Sequence, residues 1–234
     1  MSNSTLKLIA LITMMIDHIG ACLFPDQIVL RLIGRVAFPI YIFLLVEGFQ
    51  RTKDIKKYIL RLLAFAAVSE IPFNLAFNGN LLWLDHQNVF FTLALGLIMI
   101  WCLDTLEKKP EDPKKPFMKF FIVMVLKFFI VMAFMFAAFA LRVDYVACGV
   151  LVIFVFYQYR NGDLKQEITK YIMASVIFFF FYGKTEMTCI AAFPLIHFYN
   201  GKRGMKLKYV FYVFYPVHLM VLWAVKMAFP AVFS

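Results

Sequence analysis

The stretch LKLIALITMMIDHIGACLFP, residues 6–25, decides the fold. Apolar side chains dominate it over about 20 residues, and at about 1.5 Å per residue a helix of that length crosses the ~30 Å hydrocarbon core of a bilayer. Only Lys7, Asp17 and His18 interrupt the run. A cleaved secretion signal would close on a small-x-small site, and none follows here. The segment therefore reads as a retained first transmembrane helix.

The rest of the chain has the same character. Of 234 residues, 63% are hydrophobic, 29 are Phe and only 16% are charged, with a mean hydropathy of +0.81. Soluble domains are about half apolar. Candidate spans fall at 5–24, 32–50, 58–77, 88–106, 117–141, 144–159, 168–183, 186–199 and 208–229, the sixth to eighth short enough to be tilted, broken or re-entrant. Loop charge gives an independent check. Loops 51–57, 107–116, 160–167 and 200–207 are rich in Lys and Arg, whereas the intervening ones hold only Arg31, Arg142 and Lys184. That alternation fits every loop if the basic ones are cytoplasmic. Within it, KKPEDPKKP (108–116) is the clearest linker, because three prolines and mixed charge forbid a helix. The expectation is an all-α, polytopic transmembrane helix bundle of about nine helices, a single integral membrane domain over 1–234 in the cytoplasmic membrane, with the N-terminus cytoplasmic and the C-terminus external.

The net charge of +10 belongs to those basic loops. No aromatic-plus-basic groove of a nucleic-acid binder is visible, so nucleic acid is excluded as a partner and the lipid bilayer takes its place. Cys22, Cys102, Cys148 and Cys189 stand singly in apolar runs without metal-ligand spacing, as small buried hydrophobes do, and no metal is expected.

Chemistry is then sought in the ionisable residues inside spans, where each costs several kcal/mol unless it is partnered or faces a polar cavity. They are Lys7, Asp17, His18, Arg35, Glu47, Glu70, Lys127, His197 and His218, spread over six helices. Lys7 and His18 lie eleven residues apart. Eleven steps of about 100° return to the same face, about 16 Å further along the axis. A cation near one surface and an imidazole deep in the membrane suit a long anionic donor, its phosphates on the lysine and its reactive end at the histidine. Asp17 and His18 are neighbours on one helix and project about 100° apart, so Asp17 is expected to meet a cation of another helix, such as Arg35, or to contact substrate.

At these residues the sequence resembles a known family. LKLIALITMMIDHIGACLFP (6–25), IGRVAFPIYIFLLVEGFQRT (33–52), RLLAFAAVSEIPFNL (61–75), NVFFTLALGL (88–97) and FYPVHL (214–219) resemble the TraX family, membrane proteins associated with N-terminal acetylation of conjugative pilin. That family in turn looks like a compact relative of the acyltransferase-3 and heparan-glucosaminide acetyltransferase kind, whose first helix carries a basic residue, ten residues and a histidine; Lys7 and His18 match, with Lys for the usual Arg. The second-helix block resembles AFPIYIFLLVEGF, with Glu47 where many relatives have serine.

The resemblance implies His18 as the catalytic residue and Lys7 near the path of an acyl-CoA donor, here acetyl-CoA. Beside His18, Asp17 is a further catalytic candidate as its indirect support, and the basic residues Arg35, Lys127 and Lys206 are candidate contacts to the donor's phosphates. Glu47, Glu70, Asn88, Tyr215 and His218 are the candidate substrate-binding residues. The expected function is transfer of an acetyl group from cytoplasmic acetyl-CoA to an amine or hydroxyl acceptor at the outer face: a pilin-like peptide, a small amine or a surface glycan. His18 would serve as general base or as acyl carrier, and the sequence leaves both open, as it does a homo-oligomer. Two other classes remain: a proton-coupled transporter, which buried ionisable groups also suit, and a non-enzymatic assembly factor for a surface appendage.

Overall fold

The computed structural model describes residues 1–108, 116–205 and 208–233. Most of the linker at 108–116, together with Lys206, lies outside the described residues. The helices are α1 Asn3–Leu23, α2 Ile28–Gly34, α3 Ala37–Arg51, α4 Ile55–Asn78, α5 Val89–Glu107, α6 Pro116–Ala140, α7 Val146–Gln158, α8 Leu164–Tyr182, α9 Ala192–His197, α10 Lys208–Ala228 and the short α11 Pro230–Phe233, with a 3-10 segment at Lys184–Ala191. Among the described residues there is no β-strand, only an isolated bridge between Gln87 and Val143. Taking α2 with α3 and the 3-10 segment with α9, and leaving aside the one-turn α11, gives nine helical passes among the described residues, as the sequence led us to expect.

Among the described residues, six passes are long and apolar enough to cross a membrane: Asn3–Leu23, Ile28–Arg51, Ile55–Asn78, Val89–Glu107, Phe120–Ala140 and Tyr209–Ala228. The short passes have physical explanations. α7 is enclosed, with Cys148, Val150, Val152, Ile153 and Tyr157 all at zero exposure, so it needs no lipid-matched length. Segment 184–197 gains reach from its 3-10 part, which rises about 2.0 Å per residue against 1.5 Å for an α-helix. α6 is the opposite of α7. It packs mainly on α5 and α7 and leaves Phe120, Phe128, Phe129, Phe136 and Phe139 exposed, an apolar surface suited to lipid.

The second pass differs from its expected limits. It begins at Ile28 rather than residue 32 and is interrupted at Arg35 and Val36. Pro39 lacks an N–H, and its ring crowds the carbonyl four residues earlier, which belongs to Arg35. The interruption therefore falls where Pro39 puts it.

Each end of the bundle has its own fastening. At one, the loop after α9 crosses the start of α1: Asn3 N–H donates to the Lys202 carbonyl (2.8 Å), Ser4 N–H to that of Arg203 (3.3 Å) and Met205 N–H to Ser4 Oγ (3.1 Å). These bonds satisfy N–H groups that a helix start leaves orphaned. At the other, Gln87 N–H donates to the Arg142 carbonyl and Asp144 N–H to that of Gln87, both at 2.9 Å, joining the α4–α5 and α6–α7 loops.

Candidate functional site

A cavity of about 360 Å³ opens beside the start of α1, walled by α3, α4, α5, α10 and the 198–205 loop. Four cations line it, Lys7, Arg51, Arg61 and Arg203, and no carboxylate does among the described residues. Lys7 Nζ stands 5.4 Å from the centre of the Phe211 ring and the Arg61 guanidinium 5.5 Å from that of Tyr58. Arg51 also reaches Glu47 at 2.5 Å. Asn3 and Arg203 mark the outer part of the cavity, and Met14, Phe90 and Tyr215 its far part. Lys7 and Met14 are two turns apart on one face of α1, and the next turn of that face brings His18. The Tyr215 ring sits edge-on to the His18 ring, centroids 5.9 Å apart, so a single aromatic side chain both lines the cavity and touches the imidazole.

His18 is not alone. Its Nδ1 lies 2.7 Å from Nε2 of His218, and His218 Nδ1 lies 2.8 Å from the Phe214 carbonyl oxygen. Ring centroids 5.0 Å apart with 8° between planes place the two imidazoles edge to edge in one plane. Phe77 meets His18 edge-on at 5.4 Å. Thus α1 and α10 meet through a pair of histidines, one at Lys7's end-to-end spacing and the other in the FYPVHL block.

Asp17 faces away from this pair. Arg31 Nη1 donates to Asp17 Oδ2 at 2.6 Å and to its carbonyl at 3.1 Å, while Arg35 Nε lies 3.9 Å from Asp17 Oδ1 and 2.8 Å from Glu186 Oε1. Arg35 Nη1 donates to the Tyr145 hydroxyl at 3.2 Å. Two cations and two carboxylates balance here and tie α1 to α2, to the interruption that follows it and to the 3-10 segment. Tyr145 has a left-handed φ of 59° and its ring stacks on Phe38 at 3.7 Å, strain that a surrounding network of this kind can hold.

The other predicted positions are dispersed. Glu47 pairs with Arg51 and accepts from the Tyr199 hydroxyl at 3.0 Å. Asn88 caps α5 by accepting from Phe90 N–H, and its amide donates to Glu70 Oε2 at 2.5 Å and to the Ala66 carbonyl at 2.8 Å. Lys127 pairs with Glu107 at 2.7 Å, which also receives Arg160 at 3.3 Å. Neither Lys127 nor Arg35 lines the cavity; of the three predicted phosphate contacts among the described residues only Lys7 does. Sequence reasoning did not single out Arg51, Arg61 and Arg203 for it, two of them as loop residues, nor did it find Arg31 and Glu186 as partners of the Asp17 group. Arg61, an ionisable residue inside the third span, was the available signal.

No solved structure matches the chain. It is 29% identical over 248 residues to the probable fimbrial assembly protein FimC, serogroup H1, of Dichelobacter nodosus, covering 95% of this chain and 94% of that one. It is 30% identical over 96 residues to an uncharacterized protein of Rickettsia prowazekii (strain Madrid E), covering 41% of this chain and 35% of the relative. The family model described as TraX protein matches residues 2–226, and with that match over nearly its whole length the chain belongs to the TraX family.

Proposed function

We propose that the protein is a membrane-embedded acyltransferase that takes an acetyl group from acetyl-CoA on the cytoplasmic side and gives it to an amine or hydroxyl acceptor at the outer face. One observation carries the reading: a cavity lined, among the described residues, by four cations and no carboxylate runs to Tyr215, which touches His18. An anionic, elongated donor fits such a lining, because Lys and Arg hold phosphates by charge and Arg by paired N–H donors as well. The donor supplies an acetyl thioester. Lys7, Arg51, Arg61 and Arg203 hold its charge, and Tyr215 with Phe90 shields the far end from water.

His18 accepts the acceptor's proton as the new N–C or O–C bond forms and returns it to the sulfur as the C–S bond breaks. An imidazole can take a proton on a bare ring nitrogen and give it back from the same atom, which suits both halves of that exchange. The topology that goes with this places the N-terminus and the Arg51 and Arg203 loops in the cytoplasm, where the donor is, and the C-terminus outside.

A second reading rests on the Dichelobacter nodosus relative, whose name speaks of fimbrial assembly: a non-enzymatic assembly factor for a surface appendage. Purified protein in nanodiscs, given acetyl-labelled acetyl-CoA and a panel of peptide, amine and glycan acceptors, separates the two. Label transfer that depends on the protein supports the enzyme. Absence of both CoA binding and transfer leaves the assembly factor.

A further inference from the structure

We propose that His218 is the positioning residue of the site: through a chain of in-plane hydrogen bonds that starts at the Phe214 carbonyl, it fixes the ring and the tautomer of His18 so that His18 Nε2 is the basic nitrogen. The inference rests on the reading of His18 as the base. A carbonyl oxygen can only accept, so the 2.8 Å contact at Phe214 requires a proton on His218 Nδ1. A neutral His218 then has a bare lone pair at Nε2. The 2.7 Å contact with His18 can be a hydrogen bond only if His18 Nδ1 carries the proton. That leaves His18 Nε2 unprotonated, and among the described residues it has no hydrogen-bond partner. The opposite direction would need lone pairs facing each other at Phe214, or a positive charge on His218.

Coplanar rings put the His18 Nδ1 hydrogen along the lone-pair direction of His218 Nε2. The hydrogen bond also opposes the preference of a free neutral imidazole for the proton on Nε2, which would leave no base facing the acceptor. When His18 Nε2 takes the acceptor's proton, His18 becomes an imidazolium whose Nδ1–H still points at His218 Nε2. The charge is shared across the pair but goes no further, because the chain ends on a backbone carbonyl that cannot take a proton. The proton is therefore still at His18 when the departing thiolate needs it. An Asp–His pair would do the same work with a fixed negative charge; here the orienting group is neutral, as a membrane interior favours.

Two measurements on the full chain in lipid nanodiscs test this. The first needs no activity: ring-nitrogen shifts of the ¹⁵N-histidine-labelled protein, tractable because the chain has only 4 His. The expected spectrum has His18 protonated on Nδ1, moving toward the Nε2–H form in His218→Phe, which keeps the ring bulk and deletes the acceptor. A wild-type His18 protonated on Nε2 overturns the proposal. The second is the transfer assay with His218→Phe and His218→Gln, whose amide oxygen can replace the lost acceptor near the position of Nε2. We expect kcat to fall about 100-fold in His218→Phe with KM for acetyl-CoA within about twofold, and His218→Gln to recover most of the loss. Equal losses in the two variants, or a loss residing in KM, overturn it. If wild-type protein transfers nothing, the enzyme reading fails, and the nitrogen shifts still decide whether the relay exists.

Discussion

Gly34 packs so closely on Asp17 that a Cβ at position 34 would fall 2.1 Å from the Asp17 Cβ. The absent side chain lets Asp17 sit between Arg31 and Arg35 at the interruption of the second pass. Gly34→Ala forces α1 and α2 apart, and overpacking of this kind costs about 1–3 kcal/mol. Its thermal midpoint in detergent should fall, and Asp17→Asn should fall with it, since that change leaves Arg31 facing a neutral amide. Per folded molecule, Asp17→Asn should keep most of its acetyl transfer. A variant of normal stability that has lost transfer would instead put Asp17 in the chemistry.

The cavity cations give a binding prediction. Charge-assisted contacts are worth about 1.5–3 kcal/mol, so Arg61→Ala or Lys7→Ala should weaken CoA binding roughly tenfold or more, while Lys7→Arg binds nearly as well. Lys127→Ala removes a partner of Glu107 and should leave binding unchanged. Calorimetry in nanodiscs measures all four. Equal weakening by Lys127→Ala and Arg61→Ala would mean that the charge of the whole protein, not this cavity, draws the ligand.

His86 lies in the loop before α5 and reaches Asp144 across the clasp at 3.4 Å. The hydrogen bond with Asp144 raises its pKa above 6.5 against the opposing effect of burial. A raised folded-state pKa means that its contribution is full below about pH 6.5 and is lost as pH rises through the higher value. Wild type should therefore exceed His86→Phe in thermal midpoint by more at about pH 5.5 than at about pH 8.5. A difference constant across that range would leave the histidine as packing only; because His86 is about a third exposed, the effect is modest.

For orientation, a cysteine placed at Leu82, 80% exposed, should react with an impermeant reagent added outside intact cells, and one at Lys53 should not. Leu82 is preferable to Gly79 as a probe, because Gly79 has φ +75°, which strains any side chain. The reverse labelling pattern would invert the topology and with it the direction of transfer.

Much of this architecture was legible in the sequence. Apolar runs and alternating loop charge locate the passes because lipid and the positive-inside bias act locally along the chain. Helical spacing puts Lys7 and His18 on one face. Partnership is not local, and there the reading was incomplete. His18 and His218 are 200 residues apart, and nothing in the spacing of either helix pairs one with the other. Arg203 belongs to a basic loop by sequence and reaches the cavity only because that loop crosses the start of α1. Arg31 reads as a loop residue because the second helix starts four residues earlier than hydropathy suggests, and Asp17 therefore finds it before Arg35.

In the proposed mechanism His18 does the chemistry at the end of a donor cavity. The most direct measurement pairs CoA binding with acetyl transfer in wild type and His18→Ala, in the same nanodisc preparation. Binding should survive the change nearly intact, because the proposed donor contacts are other residues, with Lys7 about three turns from His18 along α1, whereas transfer should fall by about 100- to 10,000-fold. Acetyl transfer that persists in His18→Ala at close to the wild-type rate would contradict the account.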